Sequence, residues 1–211
     1  MAIITRLLLL FTLLTAFLVA SSDAASVQCG ISAVTSSANN RRIVGGHEAK
    51  PHQLPWMVRV NTEAVKVSHG TSSAITSRLH FYCGGSLISD RWILTAGHCA
   101  VTPEAHALEG YHMNLSSTQV ILGATNLSNA QETGRLIPEI AGVYVHEHFA
   151  LKHLEGSLLV ENDLTLIKLK EPVDFEVHRG AIAPICLPSE QMVVSKSDCQ
   201  IAGWGRVHTS E

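Results

Sequence analysis

The stretch that decides the fold runs from Cys83 to Cys99 and reads CGGSLISDRWILTAGHC. It predicts two strands joined by a tight turn at residues 89–91, an arrangement that would bring Cys83 and Cys99 together. A disulfide that closes a loop of this size is worth about 3 kcal/mol in the chain-entropy model, and it would hold the backbone beside His98. An imidazole, whose ordinary pKa is about 6.5, can take a hydroxyl proton and return it near neutral pH, so His98 is a candidate general base.

Further short apolar or alternating runs, separated by turn-rich segments, occur throughout the chain after Ile43. They predict strands at residues 56–60, 81–88, 92–95, 119–122, 142–146 and 164–169. Short strands with Gly and Pro between them favour a closed antiparallel barrel, because closure removes exposed sheet edges. The polar stretch 61–80 is expected to be a surface excursion, and residues 151–155 are expected to be a surface loop or a short turn of helix.

Proline-containing sequence follows the last of these strands. Residues 171–188 include Pro172, Pro184 and Pro188 and are expected to form an extended connector between two bodies. Beyond the connector, residues 200–205 predict one further strand and turn.

The composition describes a foldable globular protein, since 46% of the 211 residues are hydrophobic and 16% are charged. The net charge is -3, and no block of basic residues occurs. A nucleic acid or an anionic membrane surface is therefore not an expected partner.

The first residues indicate export. Arg6 precedes an apolar run at residues 7–20, and small residues follow at 21–25. This run of about 14 residues falls short of the roughly 20 needed to span a bilayer, and no later segment is apolar enough to do so. Residues 1–24 are therefore predicted to be a signal peptide, and the mature protein is predicted to be secreted and extracellular, with no membrane span.

Export makes disulfides the expected state of the five cysteines, which are Cys29, Cys83, Cys99, Cys186 and Cys199. The number is odd, and counting alone cannot select the pairs. Asn114 and Asn126 each begin an Asn-Leu-Ser tripeptide, the acceptor sequence for N-glycosylation, and are expected on exposed loops.

A basic cleavage site lies where a polar linker meets the globular region. The linker at residues 32–40 is rich in Ser, Thr and Asn, and Arg41 and Arg42 precede the run Ile-Val-Gly-Gly. Cutting after Arg42 would create a new amino terminus at Ile43, and burial of its ammonium group would require a carboxylate partner. The alternative is a chance basic pair before two apolar residues.

Three motifs together, RIVGG at residues 42–46, TAGHC at 95–99 and NDL at 162–164, resemble those of chymotrypsin/trypsin-like serine proteases (peptidase family S1) in zymogen form. The resemblance implies an all-β fold, a double antiparallel β-barrel. It implies a propeptide at residues 25–42 and a peptidase S1 domain at 43–211. Within that domain, 43–169 would form a nearly complete first barrel, and 170–211 a connector and the start of a second barrel. Most of the second barrel would be missing, so a C-terminally truncated family member is expected.

The resemblance also implies roles for residues. His98 would act as general base and acid, and Asp163 would hold its imidazole in the right tautomer and stabilise the imidazolium. The order of His before Asp agrees with this family. The alternative is that Asp163 is an ordinary strand-end aspartate, and Glu161 is its only close rival. Gly97 departs from the family pattern, in which alanine is commoner, and is expected to loosen the local backbone slightly.

The nucleophile of the family is a serine within Gly-Asp-Ser-Gly-Gly, where the glycines let backbone amides form the oxyanion hole. This run does not occur in the sequence. The serines after Asp163 have no glycine beside them and are expected to lie in surface loops; they are Ser189, Ser195, Ser197 and Ser210.

By the same resemblance, Cys83 would pair with Cys99, and Cys29 with Cys186, a bridge that would tether the propeptide after cleavage. Cys199 would then pair with a cysteine further along a longer chain. A reduced Cys199 thiol is the alternative.

No cofactor or metal is expected. His146 and His148 would point to one face of a strand, but two ligands do not complete a zinc site. The stretch from Leu122 to Ala124 corresponds to the calcium loop of trypsins and has alanine where a carboxylate would be expected.

The sequence thus predicts a secreted serine endopeptidase that hydrolyses protein or peptide substrates through an acyl-enzyme. An activating protease would cut after Arg42, and protease inhibitors are further expected partners. Without its nucleophile, the chain as given is expected to be inactive. Two alternatives stay open: a non-catalytic homologue that acts as a binding or regulatory module, and a fragment from an incomplete gene model.

Overall fold

The computed structural model describes residues 28–34, 48–69, 74–100, 112–154, 157–192 and 199–205. Within these ranges the chain is all-β, as predicted, and its single helical element is one 3-10 turn at Gly97–Cys99. The strands are β1 (Met57–His69), β2 (Ala74–Leu87), β3 (Trp92–Thr95), β4 (His112–Leu122), β5 (Ile140–Val145), β6 (Ala150–Leu154), β7 (Ser157–Glu161) and β8 (Thr165–Leu169). The described part of the chain has no helix with the length and apolarity to cross a membrane.

Six of the strands form one antiparallel sheet in the order β4-β1-β2-β3-β8-β5. The sheet curls until its edge strands β4 and β5 come into contact, which makes it barrel-like. Strands β6 and β7 form a separate two-stranded hairpin. The architecture is consistent with the expected trypsin-like first barrel.

Alternate residues of these strands face the inside of the curled sheet, as the period of a β-strand requires. In β8, Thr165, Ile167 and Leu169 are buried, while Leu166 and Lys168 between them are half-buried. Each fully buried aliphatic side chain contributes roughly 1.5–3 kcal/mol relative to exposure. The core consists of Val58, Val60, Leu87, Ile93, Val120, Leu122, Ile167, Leu169, Val173, Ala181 and Ile182.

The connector contributes to this core, which the sequence did not predict. Val173, Ala181 and Ile182 are buried against the sheet, and the N–H groups of Ala181 and Ile182 donate to the carbonyl of His178. Its later part meets residues 28–34, because Cys29 and Cys186 form a disulfide and the Gly30 N–H donates to the Pro184 carbonyl (2.8 Å). The start of the described chain is thereby attached to the connector.

The expectation of a surface excursion at residues 61–80 was wrong, because β1 and β2 continue through most of it as a long hairpin. Strand β4 adds a third strand to the hairpin, and the β1–β4 register shifts between Asn61 and Glu63. The extension also has buried side chains: Ala64 is fully buried, and the buried Thr62 hydroxyl donates to the Cys99 carbonyl (3.2 Å). Pairing with β4 and burial therefore outweigh the polar composition of this stretch.

Two further expectations differ from the structure. Residues 151–155 were expected to form a loop or a turn of helix, but Leu151–Leu154 belong to β6 because each has a partner in β7. Residues 200–205, expected to form a strand and turn, contain no strand in their described conformation. There the Trp204 indole N–H donates to the Thr125 carbonyl (2.8 Å), so this segment lies against the loop after β4.

The loop at residues 123–136 is organised by two charged side chains, Glu132 and Arg135. The Glu132 carboxylate accepts the backbone N–H groups of Thr125 (2.9 Å) and Asn126 (3.0 Å). The Arg135 guanidinium donates to the carbonyls of Leu127 and Asn129. Because the Glu132 oxygens already accept backbone hydrogen bonds, this loop is closed by its own side chains.

We therefore expect Glu132→Gln to lower the free energy of unfolding by about 1 kcal/mol, because two backbone N–H groups lose a charged acceptor. Urea unfolding followed by circular dichroism measures the change. The matched control is Glu139→Gln, since the exposed Glu139 side chain forms an ion pair with Lys170 whose loss should change stability little. Equal effects of the two substitutions would contradict the role of Glu132, as would a clear rise in melting temperature on addition of Ca²⁺.

Candidate active site

The turn that carries His98 is held from three directions. It follows β3 directly, and a disulfide joins Cys99 at its end to Cys83 in β2. The buried Thr95 donates its hydroxyl to the Gly84 carbonyl (2.7 Å), and Thr62 of β1 donates to the Cys99 carbonyl. The TAGHC motif thus forms a short turn whose backbone is tied to two neighbouring strands.

Asp163 lies in the short link between β7 and β8. Asn162 before it adopts a left-handed conformation (φ 50), which asparagine tolerates better than most residues. Its side-chain amide donates to the His148 carbonyl (2.9 Å), and the His146 N–H donates to the Leu164 carbonyl (3.0 Å). These bonds fasten the link to the end of β5, so the Asp163 carboxylate has a defined position.

His98 and Asp163, which are 65 residues apart in sequence, meet through both oxygens of the carboxylate. The His98 backbone N–H donates to Oδ1 (2.8 Å), and the ring atom Nδ1 lies 2.8 Å from Oδ2. The exposed fractions are 46% for the His98 side chain and 32% for that of Asp163. The ring therefore has a fixed orientation while part of it stays accessible.

The pKa of the Asp163 carboxyl reflects these contacts. Partial burial acts to raise this pKa, but the backbone N–H and the ring N–H of His98, the charge of that ring when it is protonated, and the Gly97 backbone N–H act to lower it. The lowering effects prevail, so the pKa lies below its ordinary value of 3.8. Asp163 is therefore an anion at neutral pH.

The rival carboxylate has a different partner. Glu161 forms an ion pair with Lys152 (2.6 Å) within the β6–β7 hairpin. Of the four serines after Asp163, the structure describes Ser189, which is exposed; residues 195, 197 and 210 lie outside the described residues. Cys199 is exposed and belongs to neither of the two disulfides.

Potential metal ligands are already engaged in other contacts. Donor atoms of Cys83, His98 and Cys99 lie within 4.8 Å of one another, but the two sulfurs are joined in a disulfide and cannot act as thiolate ligands. His146 Nδ1 accepts the His148 backbone N–H (3.1 Å), and the two rings are 5.8 Å apart between centroids. The disulfide therefore excludes thiolate ligation at Cys83 and Cys99, and one ring nitrogen of His146 is engaged by the backbone.

The remaining predicted features differ in whether the structure describes them. The predicted signal peptide at residues 1–24, Arg42 and Ile43 lie outside the described residues. The glycosylation candidate Asn114 lies within β4, opposite Glu63 of β1, and not on the expected loop. Asn126 is exposed in the loop after β4, and its side-chain oxygen accepts the Ser128 N–H (3.0 Å).

The sequence did not predict the hydroxyl donors Thr62 and Thr95, or the use of backbone amides to hold Asp163. The hydrogen bond of Thr95 could have been predicted, since a threonine that ends a buried strand beside a candidate catalytic turn needs a hydrogen-bond partner. The hydrogen bond of Thr62 could not have been predicted, because it depends on a strand extension that the sequence does not indicate.

Comparison with known proteins agrees with this geometry. Residues 43–211 match the family model described as Trypsin. Chymotrypsin-C from Bos taurus is 32% identical over 170 residues, which cover 80% of this chain and 52% of that protein. Serine proteinase stubble from Drosophila melanogaster is 32% identical over 186 residues, which cover 88% of this chain and 20% of that protein. The chain therefore spans about half the length of chymotrypsin-C, or less of the longer relative, and it belongs to the trypsin-like serine proteases of family S1.

Proposed function

We propose that this chain supplies the acid–base half of a serine endopeptidase active site, with His98 as general base and acid and Asp163 as the residue that orients it. The observation that carries the proposal is the double hydrogen bond from His98 to the Asp163 carboxylate, at 2.8 Å to each oxygen. A carboxylate that engages both the backbone and the ring of one histidine restrains its position and its rotation.

The chemistry follows from the contact at Nδ1. A proton on Nδ1 donates to Asp163, which leaves the lone pair of the neutral ring on Nε2. Nε2 would take the proton of a serine hydroxyl as its oxygen attacks the peptide carbonyl, and would then give the proton to the leaving amine. The Asp163 anion stabilises the imidazolium that exists between these steps and does not itself take the proton.

The nucleophile is not part of the 211 residues, which contain no Gly-Asp-Ser-Gly-Gly run. A triad without its serine and oxyanion hole keeps at most weak catalysis. We therefore propose that the chain as given does not hydrolyse peptides, and that turnover requires a longer product that contributes the serine.

We also propose that the longer product is made as a secreted zymogen, with residues 1–24 as signal peptide and 25–42 as propeptide. A protease that cuts after Arg42 would create the amino terminus at Ile43. Support comes from the basic site itself and from the Cys29–Cys186 disulfide, which would keep residues before the cut attached to the connector. Protein or peptide substrates and protease inhibitors are the proposed partners, and Asn126, which is exposed, is the better placed glycosylation candidate.

A second candidate function applies if the longer product carries another residue in place of the serine. A family member with His98 and Asp163 but no serine would act as a binding or regulatory module, because loss of the serine alone abolishes turnover. The intact His98–Asp163 contact favours the enzyme only weakly, since a recently inactivated homologue would retain it.

The transcript beyond the codon of Glu211 decides between these functions. We expect it to encode Gly-Asp-Ser-Gly-Gly and a further cysteine, and we expect the longest product, after cleavage at Arg42, to hydrolyse peptide amides. In that product, His98→Ala should lower kcat by about 10⁴-fold or more. A run with another residue in place of the serine, or a stop codon after Glu211, would contradict the enzymatic function.

The 211-residue chain is the matched control for that assay. After the same cleavage it should show neither amide hydrolysis nor covalent labelling by a fluorophosphonate probe that reacts with activated serines. Labelling that disappears on His98→Ala would mean that one of the serines already present acts as a nucleophile.

The Asp163 contact also predicts how stability depends on pH. Because the pKa of Asp163 is lowered in the folded state, its contribution to stability is present above the ordinary value of 3.8 and is lost as the pH falls below it through the folded-state pKa. The stability advantage of the wild type over Asp163→Asn should therefore shrink between pH 4 and about pH 2. Urea unfolding across this range measures it, with Glu190→Gln, at an exposed position, as the control for net charge. Parallel curves for wild type and Asp163→Asn would contradict the contact.

A further inference from the structure

Gly97, the residue before His98, departs from the family pattern, and its surroundings give a reason. Gly97 is buried, and its backbone does not have a positive φ, so the conformation alone does not require glycine. A β-carbon at this position would lie 2.4 Å from Cδ2 and 2.7 Å from Cε2 of Phe149. Carbon atoms in favourable contact are about 3.5–4.0 Å apart, so a methyl group and the Phe149 ring cannot both occupy this space. Gly97 is therefore required by packing.

The Asp163 carboxylate borders the same space. The β-carbon built on Gly97 would lie 3.1 Å from Asp163 Oδ1, the oxygen that accepts the His98 backbone N–H. Both the edge of the Phe149 ring and Oδ1 therefore lie close to the position that a β-carbon on Gly97 would occupy. An apolar ring in this place would limit the access of water to Oδ1, and hydrogen bonds strengthen where the local dielectric is low.

Phe149 is itself held in place by the segment that anchors Asp163. Its backbone N–H donates to the His146 carbonyl (2.9 Å), and the carbonyl of its neighbour His148 accepts the Asn162 side chain. The β6–β7 hairpin begins directly after Phe149 and ends directly before Asn162. The ring and the carboxylate therefore stand at the two ends of one hairpin, fastened at its base.

We propose that Gly97 and Phe149 form a matched pair that positions the Asp163 carboxylate against His98, with Phe149 as a positioning residue for the general base. The proposal rests on the proposed function of His98 and Asp163. Gly97 provides the space, the Phe149 ring fills it and shields Oδ1, and the turn keeps its hydrogen bonds to the carboxylate. Gly97 thereby leaves room for the Phe149 ring, a role beyond the expected loosening of the backbone.

The test measures the exchange with water of the His98 Nδ1 proton, observed by NMR in the full chain. Gly97→Ala should speed this exchange about tenfold, because the methyl group displaces the ring or the carboxylate. Phe149→Ala should speed it by a similar factor, because it opens Oδ1 to water. The double variant should exchange no faster than Phe149→Ala alone, since each substitution removes the same arrangement.

Two variants serve as controls. Gly205→Ala introduces a β-carbon with no atom within 4 Å and should leave the exchange rate unchanged. Phe149→Tyr keeps the ring edge that faces Gly97 and should stay within about twofold of the wild type. Formation of the Cys83–Cys99 disulfide and a native β-sheet circular dichroism spectrum show that a variant has folded. If Gly97→Ala does not fold, the comparison of Phe149→Ala with Phe149→Tyr still tests the pair.

An unchanged exchange rate in Gly97→Ala and Phe149→Ala would overturn the inference. So would effects that simply multiply in the double variant, because independent sites behave in that way. Failure of the proposed function has a different result: the His98 Nδ1 proton would then exchange at the same rate in Asp163→Asn as in the wild type. A response to Asp163→Asn without a response at Gly97 or Phe149 would overturn the positioning role alone.

Discussion

Asp163 joins two distant parts of the chain by accepting hydrogen bonds from the backbone and from the ring of His98. The neighbouring strands, disulfide and hairpin hold the two residues in this contact. Strand β3 and the Cys83–Cys99 disulfide hold the turn of His98, while β8 and the base of the β6–β7 hairpin hold Asp163. Because β3 and β8 are neighbours in the sheet, the two ends that carry the reactive groups lie side by side. The close-packed core beneath β3 and β8 keeps these two strand ends at fixed positions.

Much of the fold could be predicted from local pattern. Strand β3 was predicted at its observed residues, and β8 within one residue of its start, because both are short, apolar and bounded by turns. The long β1–β2 hairpin was missed, since its outer part is polar and is stabilised by pairing with β4. Only the tertiary partner makes such a stretch a strand. The same reason explains why β6 was expected to be a loop.

In the candidate site, too, some features could be predicted from the sequence and others could not. The motifs around His98 and Asp163 pointed to both residues, since the chemistry of a general base and its orienting carboxylate restricts the residue types and their order. The contacts that hold them could not be predicted from motifs. The hydroxyl of Thr62 and the ring of Phe149 act on groups that only the folded chain brings near. For Gly97 the sequence showed a departure from the family pattern, but the reason for it lies in Phe149, which is distant in sequence.

Asp163 sets the tautomer of His98 before any substrate or nucleophile is present. The most direct measurement is the pair of ¹⁵N chemical shifts of the His98 ring in the full chain labelled with ¹⁵N-histidine, recorded at a pH where the ring is neutral. We expect a protonated Nδ1 and an unprotonated Nε2 in the wild type, and loss of this preference in Asp163→Asn. A neutral ring that carries its proton on Nε2, or a tautomer that does not change in Asp163→Asn, would contradict it.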